Sequence, residues 1–265
     1  MPTDDPVLLT RRDGAVLTLT LNRPQALNSF DGALHDALMA ALKDAAADAT
    51  VRCVVLTGAG RGFCAGQDLS DPAVAPGPQP RDIGALIESR YKPLALLLAD
   101  FPVPLVAAVN GVAAGAGANL ALNCDLVLAA RSASFIQAFA KIGLIPDCGG
   151  TWLLPRLVGR ANALALALLG DKLPAEEAQR IGLIWRVVDD AALAAEAQAV
   201  AARLAAMPSH ALAETRRAFA AADHLSLAEA LSREADVQRK LGFAHDYQEG
   251  VTAFFAKRAP QFKDR

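Results

Sequence analysis

The sequence predicts an α/β fold closed by a helical C-terminal region. Short β-rich runs alternate with helical patterns through about the first 200 residues, glycine-rich turns follow two of those runs, and no strand signal returns after about Asp189. On that division residues 1–200 form the core and residues 201–265 a helical oligomerisation region, since a short helical tail on a core of this size often supplies subunit contacts.

The elements follow from periodicity. Ala15 to Asn22 alternates apolar and polar positions until Arg23-Pro24 ends the run, which reads as a strand. Gly32 to Ala47 sets Leu34, Leu38, Ala41 and Leu42 on one helical face. Val51 to Thr57, Val103 to Val109 and Asp125 to Ala129 are further β-rich runs. Ile83 to Ala99 repeats the helical pattern, and Gly117 to Asn123 opens another helix from a glycine-rich turn. Asp71 to Pro80 is too proline-rich for a regular element and reads as a loop. Ala191 to Met207, Ser209 to Ala222, Ser226 to Leu241 and Asp246 to Arg258 complete the helical tail.

Composition narrows the function. The 265 residues are 53% hydrophobic and 20% charged with net charge −2, which suits a globular protein with a sizeable core and argues against an extended nucleic-acid surface. The acidic start, Met1 to Asp5, is unlike a secretory signal, and the longest apolar stretch, Ala161 to Gly170, is too short to span a bilayer. No membrane partner and a cytoplasmic address are expected. Cys53, Cys64, Cys124 and Cys148 form no C-x-x-C pair and have no histidine at ligand spacing, so neither a metal site nor a disulfide framework is expected. Cys64 and Cys148 lie in glycine-rich segments, but no residue that would activate a thiol is evident near them.

Lys141-Ile-Gly-Leu-Ile-Pro-Asp-Cys-Gly-Gly150 sets one carboxylate, Asp147, at the end of an apolar run. Pro-Asp-x-Gly is turn chemistry. A carboxylate at the mouth of an apolar pocket is also poorly hydrated, so its pKa and basicity rise, as proton abstraction beside a carbonyl requires. The glycine-rich segments Gly58 to Leu69 and Asn110 to Asn119 leave backbone N–H groups free to point at a ligand. They can form an oxyanion hole, a close strand-to-helix crossing, or a phosphate-binding loop that lacks the third glycine and an acidic ribose ligand.

Four segments together, Leu21-Asn-Arg-Pro-Gln-Ala-Leu-Asn28, Gly62-Phe-Cys-Ala-Gly-Gln-Asp-Leu69, Asn110-Gly-Val-Ala-Ala-Gly-Ala-Gly117 and Gly143-Leu-Ile-Pro-Asp-Cys-Gly-Gly-Thr151, resemble the ordered motifs of the enoyl-CoA hydratase/isomerase, or crotonase, superfamily. The likeness runs from about residue 7 to the C-terminus. It implies a crotonase-like spiral of ββα repeats with an α-helical trimerisation region, a homotrimer or dimer of trimers, and an acyl-CoA thioester as substrate, with coenzyme A part of that substrate and no further cofactor. It implies that the backbone amides of Gln67 and Ala116 hold the thioester oxygen. It also implies that Arg23, Ala26, Ala65, Asp68 and Leu69 line the CoA path, and that Phe254 and Lys257 on the last helix reach CoA, often in a neighbouring subunit. On the residues alone, Lys257 reads equally well as a solvated cation at a helix end.

Departures from the hydratase pattern indicate the chemistry. Asn119 and Phe139 stand where hydratases of the superfamily carry their two glutamates, and neither is a base. Asp147 stands where some isomerases and dehalogenases of the superfamily have aspartate. One base and one oxyanion hole suffice for an isomerase, and the resemblance implies one that converts a 3-enoyl-CoA to the conjugated 2-enoyl-CoA, expands a ring epoxide beside an acetyl-CoA arm to an oxepin, or does both in phenylacetate catabolism. A hydratase-like enzyme, a dehalogenase whose Asp147 attacks an aromatic ring, and a catalytically silent acyl-CoA-binding scaffold are the alternatives.

Overall fold

The computed structural model describes residues 5–265; residues 1–4, most of the acidic start, lie outside the described residues. Hydrophobic strands that alternate between two sheets generate the architecture. β1 (Leu8–Asp13) and β2 (Val16–Leu21) form a hairpin around Gly14, and α1 (Gly32–Ala47) follows, its first turn capped by Asp31, whose carboxylate accepts from the Leu34 N–H at 2.8 Å. Then come β3 (Cys53–Gly58) and β4 (Gly62–Cys64), β5 (Leu105–Val109) and β6 (Val112–Ala114), and β7 (Leu126–Ala130) and β8 (Ser134–Ile136). The first strand of each pair joins one sheet and the second joins another.

A helical segment closes each pair. α2 (Ile83–Leu86) and α3 (Lys92–Ala99) follow β4, α4 (Ala116–Leu122) follows β6, and α5 (Gly150–Leu169) follows β8. This is a spiral of ββα repeats. β9 (Leu173–Pro174), α6 (Ala175–Arg180) and β10 (Arg186–Val188) finish the core, giving a six-stranded sheet ordered β1-β2-β3-β5-β7-β10 and a four-stranded sheet ordered β4-β6-β8-β9. Both are parallel except at β1–β2 and β8–β9. The near-continuous apolar sequence of β3 and β5 reflects burial on both faces of the larger sheet.

α7 (Leu193–Ala205) packs on the larger sheet, and α8 (Ser209–Ala222), α9 (Leu227–Gly242) and α10 (His245–Phe255) extend from it. Arg216 on α8 ties this tail to the core, donating to Asp125 Oδ2 at 2.7 Å and to the Val103 carbonyl at 2.9 Å. Arg265 Nη2 donates to the Ala45 carbonyl at 2.6 Å and so serves the C-terminal end of α1. No residue of α9 is buried.

Three features differ from the sequence reading. Ile83 to Ala99 is not one α-helix, because a π-helical turn over Ile87–Tyr91 separates α2 from α3. The strands β4, β6, β8, β9 and β10 are two or three residues long and too short to show alternation, and β1 is mostly exposed, so its sequence carries no buried face. Ala161 to Gly170 is the second half of the 20-residue α5, the one helix among the described residues long and apolar enough to cross a membrane by length and composition. Gly159, at φ 72° and ψ 163°, breaks that helix in two, and each half is shorter than the ~20 residues a bilayer requires.

Candidate active site

β4 and β6 are parallel neighbours, so their C-terminal ends lie side by side at one edge of the smaller sheet. Neighbouring strands run about 4.8 Å apart, and the chain leaves both strand ends through glycine-rich turns. In the first turn Phe30 N donates to the Gly66 carbonyl at 2.7 Å. C=O and N–H of a trans peptide point in opposite directions, so the Gln67 N–H is turned away from Phe30. In the second turn Ala116 is the first residue of α4, and its N–H is one of the donors that a helix start leaves without an intrahelical partner. Among the described residues neither amide has a backbone acceptor.

The turns touch because of their glycines. Gly66 has φ +91°, and a Cβ there would sit 2.8 Å from the Ala114 carbonyl and 3.4 Å from Ala116 N. A Cβ on Gly117 would sit 2.2 Å from the Cys64 carbonyl. An acceptor at about 2.9 Å from each donor fits between two nitrogens as much as ~5.8 Å apart, so two amides one strand spacing apart can share one oxygen.

Asp147 reaches the same space from the third passage. Cys148 and Gly149 both have left-handed backbone, φ 48° and 84°, which swings the chain sharply into α5. Asn119 Nδ2 donates to the Asp147 carbonyl at 2.8 Å, Asn119 Oδ1 accepts from Gln137 Nε2 at 2.9 Å, and Asn123 Nδ2 donates to the Cys148 carbonyl at 2.9 Å. The main chain of the loop is therefore fastened to α4, while one oxygen of the Asp147 carboxylate, Oδ1, is buried without a hydrogen-bond partner. Burial pushes the carboxyl up from 3.8 to about 6. Such a group is mostly ionised at pH 7 and a far better base than a hydrated aspartate.

Gln67, Ala116 and Asp147 border one cavity of about 500 Å³, together with Ala65, Leu69, Tyr91 and Phe139. Asp147 is the sole carboxylate in its wall among the described residues. Phe139 is buried and lies over Gly115, keeping that side apolar. The turn reading and the base reading of Asp147 are thus not exclusive, since the residue occupies a turn that lines an apolar cavity.

The remaining sequence-derived residues lie in three places. Ala65 and Leu69 line the cavity. Arg23 and Asp68 stand beside it as an ion pair at 3.0 Å, and Arg23 also meets Asp31 at 3.1 Å, so the arginine clasps the first glycine turn. Ala26 belongs to the 3-10 turn Pro24–Ala26 beneath that turn. Phe254 and Lys257, at the end of α10, are exposed and outside the cavity wall. All four cysteines are buried and free, and burial pushes the Cys53 and Cys64 thiols up to about 12 and raises those of Cys124 and Cys148 as well, which leaves them poor nucleophiles. Away from the cavity, His245, Asp246 and Asp264 bring ligand atoms within 4.8 Å of one another, with both Asp246 oxygens accepting from the N–H groups of Lys263 and Asp264.

Sequence reasoning missed Tyr91, which lines the cavity and donates to Gln67 Oε1 at 2.6 Å. It also missed the support that Asn119 and Gln137 give the Asp147 loop. Asn119 stood out only as a missing acid, and nothing in its spacing announces a bond to a carbonyl 28 residues away.

A model of the enoyl-CoA hydratase/isomerase family matches residues 11–265. A 1,2-epoxyphenylacetyl-CoA isomerase of Escherichia coli (strain K12) is 55% identical over 256 residues, 96% of this chain and 97% of that protein. A 2,3-dehydroadipyl-CoA hydratase of the same organism is 36% identical over 258 residues, 97% of this chain and 99% of that one. The crystal structure of an enoyl-CoA hydratase from Mycobacterium smegmatis superposes with a TM-score of 0.89 at 34% identity, covering 97% of this chain and 99% of its own.

Proposed function

The chain belongs to the enoyl-CoA hydratase/isomerase family, and from that premise we propose that it isomerises ring-1,2-epoxyphenylacetyl-CoA to the oxepin form and shifts 3-enoyl-CoA double bonds into conjugation. It is an acyl-CoA isomerase whose chemistry is carried by one base, Asp147, and one oxyanion hole. The carrying observation is that, among the described residues, the cavity wall holds a single, poorly hydrated carboxylate together with two backbone amides that have no backbone acceptor.

With the thioester oxygen between the Gln67 and Ala116 N–H groups, negative charge arriving on that oxygen is stabilised, so the proton on the adjacent α-carbon becomes removable. Asp147 takes that proton, and the electron pair of the C–H bond moves into the enolate. Return of the proton to the γ-carbon leaves the double bond conjugated to the carbonyl. Protons and electrons balance within the substrate, so neither water nor a redox cofactor enters the equation. For the ring epoxide, breaking the carbon–carbon bond shared by the two rings gives the oxepin, and the same α-to-γ transfer sets the new double bond against the thioester. A second recess of about 420 Å³ shares Ile83, Tyr91, Leu144 and Asp147 with the first cavity as lining residues.

The test is turnover of a ring-epoxidised phenylacetyl-CoA and of straight-chain 3-enoyl-CoA, with 2-enoyl-CoA hydration as the comparison. Isomerisation is expected to exceed hydration by at least tenfold, and efficient hydration without isomerisation would defeat the reading. Because protonation disables the base, kcat/KM should fall below pH 6, approaching tenfold per pH unit, and stay flat from pH 7 to 8.

Assembly belongs to the same reading. Phe219, Leu227, Leu231, Phe243, Phe254 and Phe255 are exposed on the helical tail of one chain, more apolar surface than a lone protomer usually leaves in water. A homotrimer or dimer of trimers would cover them and set Phe254 and Lys257 against a neighbour's CoA path. Sedimentation should give three or six times 27.6 kDa, and a monomer at micromolar concentration would contradict it. Four free buried thiols fit a reducing, cytoplasmic compartment.

A further inference from the structure

We infer that Tyr91 is a positioning residue for the oxyanion hole, its hydroxyl gripping the side chain of Gln67 so that the main-chain N–H of Gln67 stays aimed at the thioester oxygen. The inference rests on the isomerase reading and adds a residue to it.

Gln67 contributes its backbone to the site, and its side chain has a separate partner. Tyr91 Oη donates to Gln67 Oε1 at 2.6 Å, a short bond between a buried phenol and a half-buried amide at the cavity wall. Burial raises the phenol's pKa strongly, so the hydroxyl keeps the proton that it donates to the amide oxygen. The ring is 1% exposed and stands edge-on to a stacked pair, Phe30 at 5.9 Å and His35 at 4.6 Å. Phe30 is also the residue whose N–H holds the Gly66 carbonyl, so one aromatic side chain braces Tyr91 while its backbone pins the peptide before Gln67.

That peptide needs a second restraint. It follows Gly66, whose missing Cβ makes φ of +91° accessible but also leaves the backbone freer to rotate than any other residue would. A bond to the side chain of the next residue limits that rotation. The π-helical turn over Ile87–Tyr91 matters for the same reason, because the extra residue per turn changes the direction in which Tyr91 projects, and such turns often occur at functional sites. A regular α-helix through Ile83 to Ala99 would aim residue 91 elsewhere.

The test uses full-length wild-type protein, Tyr91→Phe, Gln67→Leu and the double variant, each with phenylacetyl-CoA carrying ¹³C at the thioester carbonyl. Tyr91→Phe keeps the ring among Phe30 and His35, and Gln67→Leu breaks the same bond from the other side should the first variant fold poorly. Binding to wild type should lower the carbonyl stretching frequency, and each single variant should lose part of that shift. Turnover of 3-enoyl-CoA should show kcat down about 10- to 100-fold with KM nearly unchanged, less than the roughly 10²–10³-fold loss of a whole donor. The double variant should be no worse than the weaker single one. A full shift in Tyr91→Phe, losses that multiply in the double variant, or a change confined to KM would overturn the role of Tyr91. A wild-type complex with no shift would instead overturn the oxyanion hole itself.

Discussion

Asp147→Asn is expected to lose kcat for isomerisation by about 10²–10⁴-fold and, at the same time, to unfold less readily than the wild type. The loss follows because, among the described residues, no other carboxylate lines the cavity to take the proton. The stability gain follows from the same burial. Asp147 has its pKa raised from 3.8 to about 6 on folding, so the folded protein binds this proton more tightly than the unfolded chain does. The stabilisation from that proton is complete below pH 3.8 and is lost as pH rises through 6, leaving an ionised, poorly hydrated carboxylate at neutral pH. The asparagine variant has no such penalty, and it should be more stable at pH 8 by about 1–3 kcal/mol, the upper figure corresponding to the whole rise in pKa and the lower to partial access of water. Urea unfolding at pH 8 and at pH 3.5 checks this, the difference between the two proteins shrinking at the lower pH. The loop itself should not move, because Asn119 holds the main chain of residue 147 rather than its side chain. Near-wild-type turnover in a folded variant would remove Asp147 from the chemistry.

Gly66→Ala should be the second large effect, with kcat reduced about 10²–10³-fold, the scale of losing one oxyanion donor. The new methyl group would stand 2.8 Å from the Ala114 carbonyl and 3.4 Å from Ala116 N, so either the two turns separate or the peptide carrying the Gln67 N–H rotates. Both movements spoil the convergence of the amides. Gly14→Ala supplies the control, since Gly14 also has positive φ, +56°, but nothing lies within 4 Å of its would-be Cβ. That variant should show only backbone strain, about 1–2 kcal/mol of lost stability with full activity. Equal loss of activity in both variants would mean that strain, rather than the meeting of the two turns, governs position 66.

The readable parts of the fold were those whose pattern is local and repeated. The spans read for β2, β3, β5 and β7 overlap the observed strands, and those for α1, α4 and α7 to α10 overlap the observed helices, because runs of five or more residues display their periodicity. β4, β6 and β8 are three residues each and show no pattern, yet they make the sheet whose edge carries the cavity. The π-helical turn was read as ordinary helix because its own sequence, Ile-Glu-Ser-Arg-Tyr, suits one; the signal lay just past it in Pro93, which has no N–H to donate to the Ser89 carbonyl and whose ring crowds that carbonyl in a regular helix.

By itself the sequence determined the inventory: one candidate base in an apolar run, two glycine-rich turns after strands, and polar or aromatic residues where a second acid would be needed for hydration. Residue type fixes those, because whether a side chain can hold a proton or a backbone can reach φ near +90° is a property of the residue. Tertiary structure alone decided which members of the inventory meet. Asn119, Gln137 and Tyr91 gained their roles from contacts spanning 18 to 28 residues of chain, and the raised pKa of Asp147 came from walls supplied by several separate elements. Distance in space and exclusion of water are set by packing, and neither is written in the order of residues along the chain.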